Sequence, residues 1–142
     1  MLIGIPEIIS PDLLAILSKM GHGDEIVLAD ANFPGERLNP NIVRCDGSEI
    51  IELLKAILQL FPLDKSAITP WVMMRAADSL HYDNSIENEY FELLKKFVPN
   101  IEEAEKLDRF DFYDRASKAF SVVMTGTKKR FSNIILKKGT IF

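Results

Sequence analysis

The chain holds two histidines and one cysteine, and His22 has the setting best suited to chemistry. It stands between Gly21 and Gly23, where the absent side chains let a ligand approach the backbone and leave the imidazole unshielded. An unperturbed imidazole titrates at about pH 6.5, so it gives or takes a proton at neutral pH. The same Gly-His-Gly spacing also suits a plain turn with an exposed histidine, and spacing alone leaves both readings open. Asp30 follows the short apolar run Ile26-Val27-Leu28-Ala29. It is placed either to cap a turn or to accept hydrogen bonds from the hydroxyls of a ligand lying beyond the carboxyl end of a strand. Arg109 and Arg115 flank Phe110, Phe112 and Tyr113, a set that serves equally as wall of a polar-ligand pocket or as core. Met73 and Met74 read as core or pocket lining. His81-Tyr82 reads as surface, and Lys128-Lys129-Arg130 as a solvated hairpin tip rather than a phosphate site. Cys45 has no base near it in sequence and reads as inert.

Several chemistries have no local support. There is no GxGxxG, GxxxxGK[ST], GxSxG or HExxH, and two histidines far apart in a chain with one cysteine give a metal site weak support, with Asp and Glu ligands left open. With 17 basic against 21 acidic residues the net charge is −4, which argues against nucleic acid as a partner. A single cysteine forms no intramolecular disulfide, in keeping with a reducing, cytoplasmic setting. No apolar run approaches the ~20 residues of a membrane span, and no cationic start precedes an apolar core as in a signal peptide. What remains is cofactor-free proton transfer on a small polar ligand.

The elements that must position these residues are those of a compact α/β domain covering residues 1–142, with a mainly parallel central sheet flanked by helices. Ser10 as N-cap, Pro11 and Asp12 announce a first helix, with Gly21 as its left-handed stop. Ile26–Ala29 and Trp71–Met74 read as strands buried on both faces. A loop is expected over 31–40. A second helix is expected after Asp46 and Ser48, with Glu49 in capping-box position, and a third from Asn84 to Val98. Then come a helix over 109–118, a strand over 119–125 and a strand over 134–137, the last two joined as a C-terminal hairpin.

Met20-Gly21-His22-Gly23-Asp24-Glu25, leading into Ala29-Asp30-Ala31-Asn32-Phe33-Pro34, resembles the motif of the family that holds the fucose mutarotases and ribose pyranases. The similarity continues through Trp71–Met74, through Arg109-Phe110-Asp111-Phe112-Tyr113-Asp114-Arg115-Ala116, and through Phe131–Gly139. It covers nearly the whole chain in order. Arg109-Phe110, Phe112-Tyr113 and the Lys-Lys-Gly ending are closer to the fucose branch.

That resemblance implies an isomerase acting on the anomers of a free monosaccharide, L-fucose, without cofactor or metal. It implies His22 as proton donor and Asp30, Arg109, Phe131, Ser132 and Asn133 as substrate-binding residues, with Met73, Met74 and Tyr113 as further pocket candidates. It implies as well a homo-oligomer, a ring-shaped decamer with sites completed by neighbouring subunits. One departure stands out: where the fucose branch usually has Tyr-Gly-Asn, this chain has Phe131-Ser132-Asn133, so a phenol is missing. Tyr113 and backbone groups are the candidates to stand in for it. Pyranose–furanose interconversion of D-ribose is the nearest alternative, and a non-catalytic sugar-binding protein the one from another class. Asp24 or Glu25 is expected to set the protonation of His22.

Overall fold

The computed structural model describes residues 1–77 and 83–142, so the expectation for His81-Tyr82 lies outside the described residues. The elements in chain order are α1 (Pro11–Lys19), β1 (Glu25–Ala29), α2 (Gly35–Leu38), β2 (Ile42–Cys45), α3 (Ile50–Ile57), β3 (Trp71–Met74), α4 (Ser85–Lys95), β4 (Glu105–Leu107), α5 (Arg109–Lys118), β5 (Ser121–Thr125) and β6 (Ile134–Lys137).

The six strands form one mixed sheet in the order β2-β5-β1-β6-β3-β4. The pairs β1–β5, β2–β5 and β3–β4 are parallel, whereas β6 runs antiparallel to both of its neighbours, β1 and β3. The expected C-terminal hairpin does not form. β5 and β6 lie on opposite sides of β1, two strand spacings or about 9.6 Å apart, and the segment between them steps across the carboxyl end of β1. Local order suggested a hairpin because consecutive antiparallel strands usually pair. Here Val27 and Leu28 satisfy β5 on one side and β6 on the other.

Alternation along the strands divides the interior into two layers. Ile26, Leu28, Trp71, Met73, Val123, Ile134 and Leu136 pack under α1, α3 and α4. Val27, Ala29, Val72, Met74, Val122, Met124 and Ile135 pack on the other face with Phe112 and Ala116 of α5 and with Phe33 and Leu38. Met73 is therefore core, beneath the three-helix layer, and Met74 alone points toward the α5 side.

Helix ends differ from expectation in instructive ways. Ser10 does cap α1, its hydroxyl accepting from the Leu13 N–H at 3.2 Å. The helix ends at Lys19 with Met20 extended, and the left-handed glycine is Gly23, at φ 86°, rather than Gly21. The turn is thus tightest after His22, where any Cβ would be strained. α3 begins later than expected, with Glu49 as N-cap and its N–H bonded to Glu52, because the backbone of Ser48 is used in turn contacts with Cys45 and Gly126. Among the described residues, no helix is long and apolar enough to cross a membrane.

Candidate active site

The antiparallel entry of β6 between two parallel blocks builds the site. The segment 128–133 reaches β6 between the carboxyl ends of β1 and β3, which opens a crevice of the kind that holds ligands in open α/β sheets. A cavity of about 710 Å³ lies there. After β1 it takes Asp30, Asn32 and Phe33; after β3, Met74 and Arg75; from the start of α5, Arg109, Phe110 and Tyr113; and before β6, Lys128, Arg130, Phe131 and Asn133.

Asp30 is buried, with 8% of its surface exposed. Its N–H donates to Asn133 Oδ1 at 2.7 Å, and its own Oδ1 accepts from the Asn32 N–H at 2.9 Å. Burial raises its carboxyl above the usual aspartate range, while Asn32, Asn133 and Phe33 oppose that rise through hydrogen bonds. Arg109 projects from the first turn of α5 and donates Nε–H to the Tyr113 hydroxyl at 3.1 Å. Tyr113 packs edge-on against Phe33 at 5.4 Å. A phenol therefore lines the cavity even though Phe131 lacks one. Phe131 itself has φ 58°, a left-handed conformation that costs a non-glycine residue free energy and that turns the chain just before Asn133. Ser132 is fully buried, its hydroxyl donating to the Lys129 carbonyl at 2.7 Å, and does not line the cavity.

Three features went unseen in the sequence. Lys128 and Arg130 border the cavity rather than a solvated hairpin tip, because the segment crosses β1. Arg75 lines it too, paired with Asp108. Tyr90, from the opposite layer, donates its buried hydroxyl to the Ser132 carbonyl at 2.9 Å and so anchors the 131–133 strap from below. Nothing local in the sequence predicted that partner.

His22 lies elsewhere. It precedes β1, whereas Asp30 follows it, and the five residues of β1 amount to about 16 Å of strand. The side chain of His22 is 53% exposed and borders a second depression with Met20, Pro62, Lys138 and Ile141. The carboxylate that faces it is not Asp24 or Glu25. Asp24 Oδ2 accepts the Gly21 N–H at 2.7 Å, and Glu25 is held by Arg115 at 2.6 Å. Asp64 stands there instead, its Oδ1 3.3 Å from His22 Nε2.

Burial pushes the Cys45 thiol up, which disfavours the nucleophilic thiolate. Among the described residues no three His, Cys, Asp or Glu side chains stand together as a metal would require.

Residues 3–141 match the RbsD / FucU transport protein family. The chain belongs to this family. Among its relatives, the L-fucose mutarotase of Histophilus somni is 46% identical, over 98% of this chain and 96% of that one. The fucose mutarotase of Streptococcus pneumoniae, solved in complex with L-fucose, superposes with a TM-score of 0.94 at 42% identity, covering 99% of this chain and 100% of that one. Bacillus subtilis RbsD, solved with D-ribose, shares the fold at a TM-score of 0.70 and 20% identity, with coverage of 94% and 95%.

Proposed function

We propose that this protein is an L-fucose mutarotase, an isomerase that interconverts the α and β anomers of the free sugar. The observation that carries the reading is the convergence of Asp30, Arg109, Phe131 and Asn133 on one cavity. The chain around them is 42% identical to, and superposes closely on, a fucose mutarotase solved with its sugar. The likeness to the ribose-bound protein, at 20% identity, is one of fold.

Changing an anomer requires opening a cyclic hemiacetal. The ring oxygen gains a proton as the anomeric hydroxyl loses one; the C1–C2 bond of the open aldehyde turns, and the ring closes with the proton movements reversed. A group that alternates between neutral and cationic forms serves both directions, and His22 is such a group. Positioned acid–base groups supply ~10²–10⁴-fold, on a reaction that water already performs slowly. Asp30, Arg109 and Asn133 hold hydroxyls through charge-assisted and amide hydrogen bonds. The Tyr113 phenol and the aromatic faces of Phe33 and Phe131 wall the sugar.

The proton donor reaches this site from a second copy of the chain. His22 and Asp30 occupy opposite ends of β1, which supports a homo-oligomer with sites at subunit contacts; its form as a ring-shaped decamer is what the family resemblance implies. Supporting this, Leu2, Ile3, Ile141 and Phe142 expose from 67% to 112% of their surface, and Ile141 borders the depression that holds His22.

Saturation transfer between the anomeric protons of L-fucose tests the reading. Transfer is expected with the wild type and lost with His22→Ala. Transfer on D-ribose alone would reassign the sugar, and line broadening without exchange on either sugar would make this a binding protein.

A further inference from the structure

Asp64 is buried, at 6% exposure, and among the described residues the only group that can offer it a positive charge is His22. Its Oδ1 also accepts the Ser66 N–H at 3.0 Å and the Ser66 hydroxyl at 2.6 Å. The Ser66 hydroxyl, more than the Ser66 N–H and His22, holds its carboxyl below the usual range against the effect of burial. Asp64 is thus an ionised, acceptor-only group, and the ring nitrogen facing it must carry the hydrogen.

The approach of Asp64 to His22 is built by the end of β6. On one side the Gly23 N–H donates to the Lys138 carbonyl and the Lys138 N–H to the Asp24 carbonyl, both at 2.8 Å. On the other, the Asp64 N–H donates to the Lys137 carbonyl at 3.0 Å and the Gly139 N–H to the Pro62 carbonyl at 2.7 Å. One strand end therefore pins both the histidine turn and the aspartate segment. Gly139 makes the second seam close. A Cβ there would stand 2.5 Å from the Leu63 carbonyl oxygen and 2.9 Å from Asp64 Cα, and these are backbone atoms that cannot swing aside.

We propose that Asp64 is the positioning residue of His22, holding it as the Nε2–H tautomer and leaving Nδ1 as the nitrogen that exchanges a proton with the sugar, with Gly139 providing the clearance that brings Asp64 within reach. The inference rests on the reading of His22 as proton donor. A neutral imidazole has one donor and one acceptor nitrogen, and the bond made by one decides the role of the other. Without Asp64 the ring is free to turn and to populate both tautomers.

The test combines ¹⁵N-histidine NMR with saturation transfer on L-fucose, using the wild type, Asp64→Asn, Asp64→Ala, Gly139→Ala and His22→Ala. The wild-type His22 signal is expected to show the single Nε2–H pattern. Both Asp64 variants are expected to lose that single pattern and to turn over saturating sugar about 10–100-fold more slowly, a part of the 10²–10⁴-fold that acid–base catalysis supplies. Fucose affinity should stay within about two-fold, since Asp64 reaches the site only through His22 and is not part of the lining around Asp30, Arg109 and Asn133. Gly139→Ala, which keeps the carboxylate but displaces its backbone, should move both readouts the same way and serves should an Asp64 variant fail to fold. A wild-type Nδ1–H pattern overturns the proposal. So does an Asp64 variant that keeps both the wild-type rate and the wild-type pattern while His22→Ala is inactive. Full activity in His22→Ala would instead overturn the donor reading, and this proposal with it.

Discussion

Under the proposed function, Asp30 is a sugar-binding residue kept at the expense of stability. Its carboxyl is raised by burial, so the folded state binds that proton more tightly than the unfolded chain does. By linkage, stability falls as pH rises from the ordinary aspartate pKa of about 3.9 up to the raised one, and the penalty is constant above that window. Asp30→Asn keeps an oxygen for the Asn32 N–H and removes the charge. The variant is expected to melt a few degrees higher than the wild type at neutral pH, at about 2–8 °C for each kcal/mol recovered. The difference should vanish below about pH 4, where both side chains are neutral. Its kcat/KM should fall about 10–100-fold, the worth of a charge-assisted hydrogen bond to a hydroxyl. Thermal melts from pH 3 to pH 8 beside saturation-transfer rates decide it, and a variant less stable at every pH would refute the linkage argument. The same residue marks what single positions reveal. His22 and Asp30 stood out in the sequence by their glycine neighbours and their place at a strand end. The partner of His22 did not, because Asp64 lies 42 residues away and is brought in by the end of β6. Adjacent carboxylates drew the expectation toward Asp24 and Glu25, yet one is used to close the turn and the other to hold Arg115.

Among the elements, α5 carries three cavity residues, Arg109, Phe110 and Tyr113, and must be held at a fixed height over the sheet. Phe112 and Ala116 bury its inner stripe. Arg115 fastens its second half, donating to Glu25 at 3.0 and 2.6 Å and to Glu105 at 2.9 Å. Those carboxylates lie at the amino ends of β1 and β4, so one guanidinium ties the helix to two strands. Arg115→Ala leaves Glu25, 15% exposed, without its cation. The loss is expected to be about 1–3 kcal/mol, the scale of hydrogen bonds to charged groups, read in urea as a lower midpoint with an unchanged slope. Affinity for L-fucose should change little, because Arg109 and Tyr113 sit toward the other end of the helix. A variant with wild-type stability would show the clamp to be idle. Elements were legible in proportion to their burial. β1, β3 and β5 have buried apolar interiors and announce themselves as short hydrophobic runs. β2 and β4 are the sheet edges, and their sequences, Ile-Val-Arg-Cys and Glu-Lys-Leu, carry the charges that edges carry. They are strands because a neighbour pairs with them, which no local pattern records. The hairpin expectation failed for the same reason: which strand lies beside which is settled by layers and crossovers, not by order along the chain.

At the scale of the whole molecule, the proposed function turns on β1 lying between His22 and Asp30. A chain acting alone would bind sugar at Asp30 and hold its acid about 16 Å of strand away, too far for a proton to pass directly. In the proposed assembly, repeating one contact between the His22 end of one copy and the Asp30 end of the next completes a site at every contact, and a rotation that closes makes a ring. The exposed apolar residues at both termini then have a surface to cover, which an isolated chain does not offer them. Mixing defective subunits tests this geometry. His22→Ala lacks the acid and Asp30→Ala lacks the sugar ligand, so each alone should be nearly inactive. Co-expressed in equal amounts and assembled at random, they place an intact His22 opposite an intact Asp30 in about a quarter of the contacts. Purified mixed oligomers should therefore recover about a quarter of the wild-type exchange rate, while separately expressed variants combined after assembly should recover nothing until they exchange subunits. Were each site the work of one chain, no mixture of these two variants would ever exceed its inactive parents.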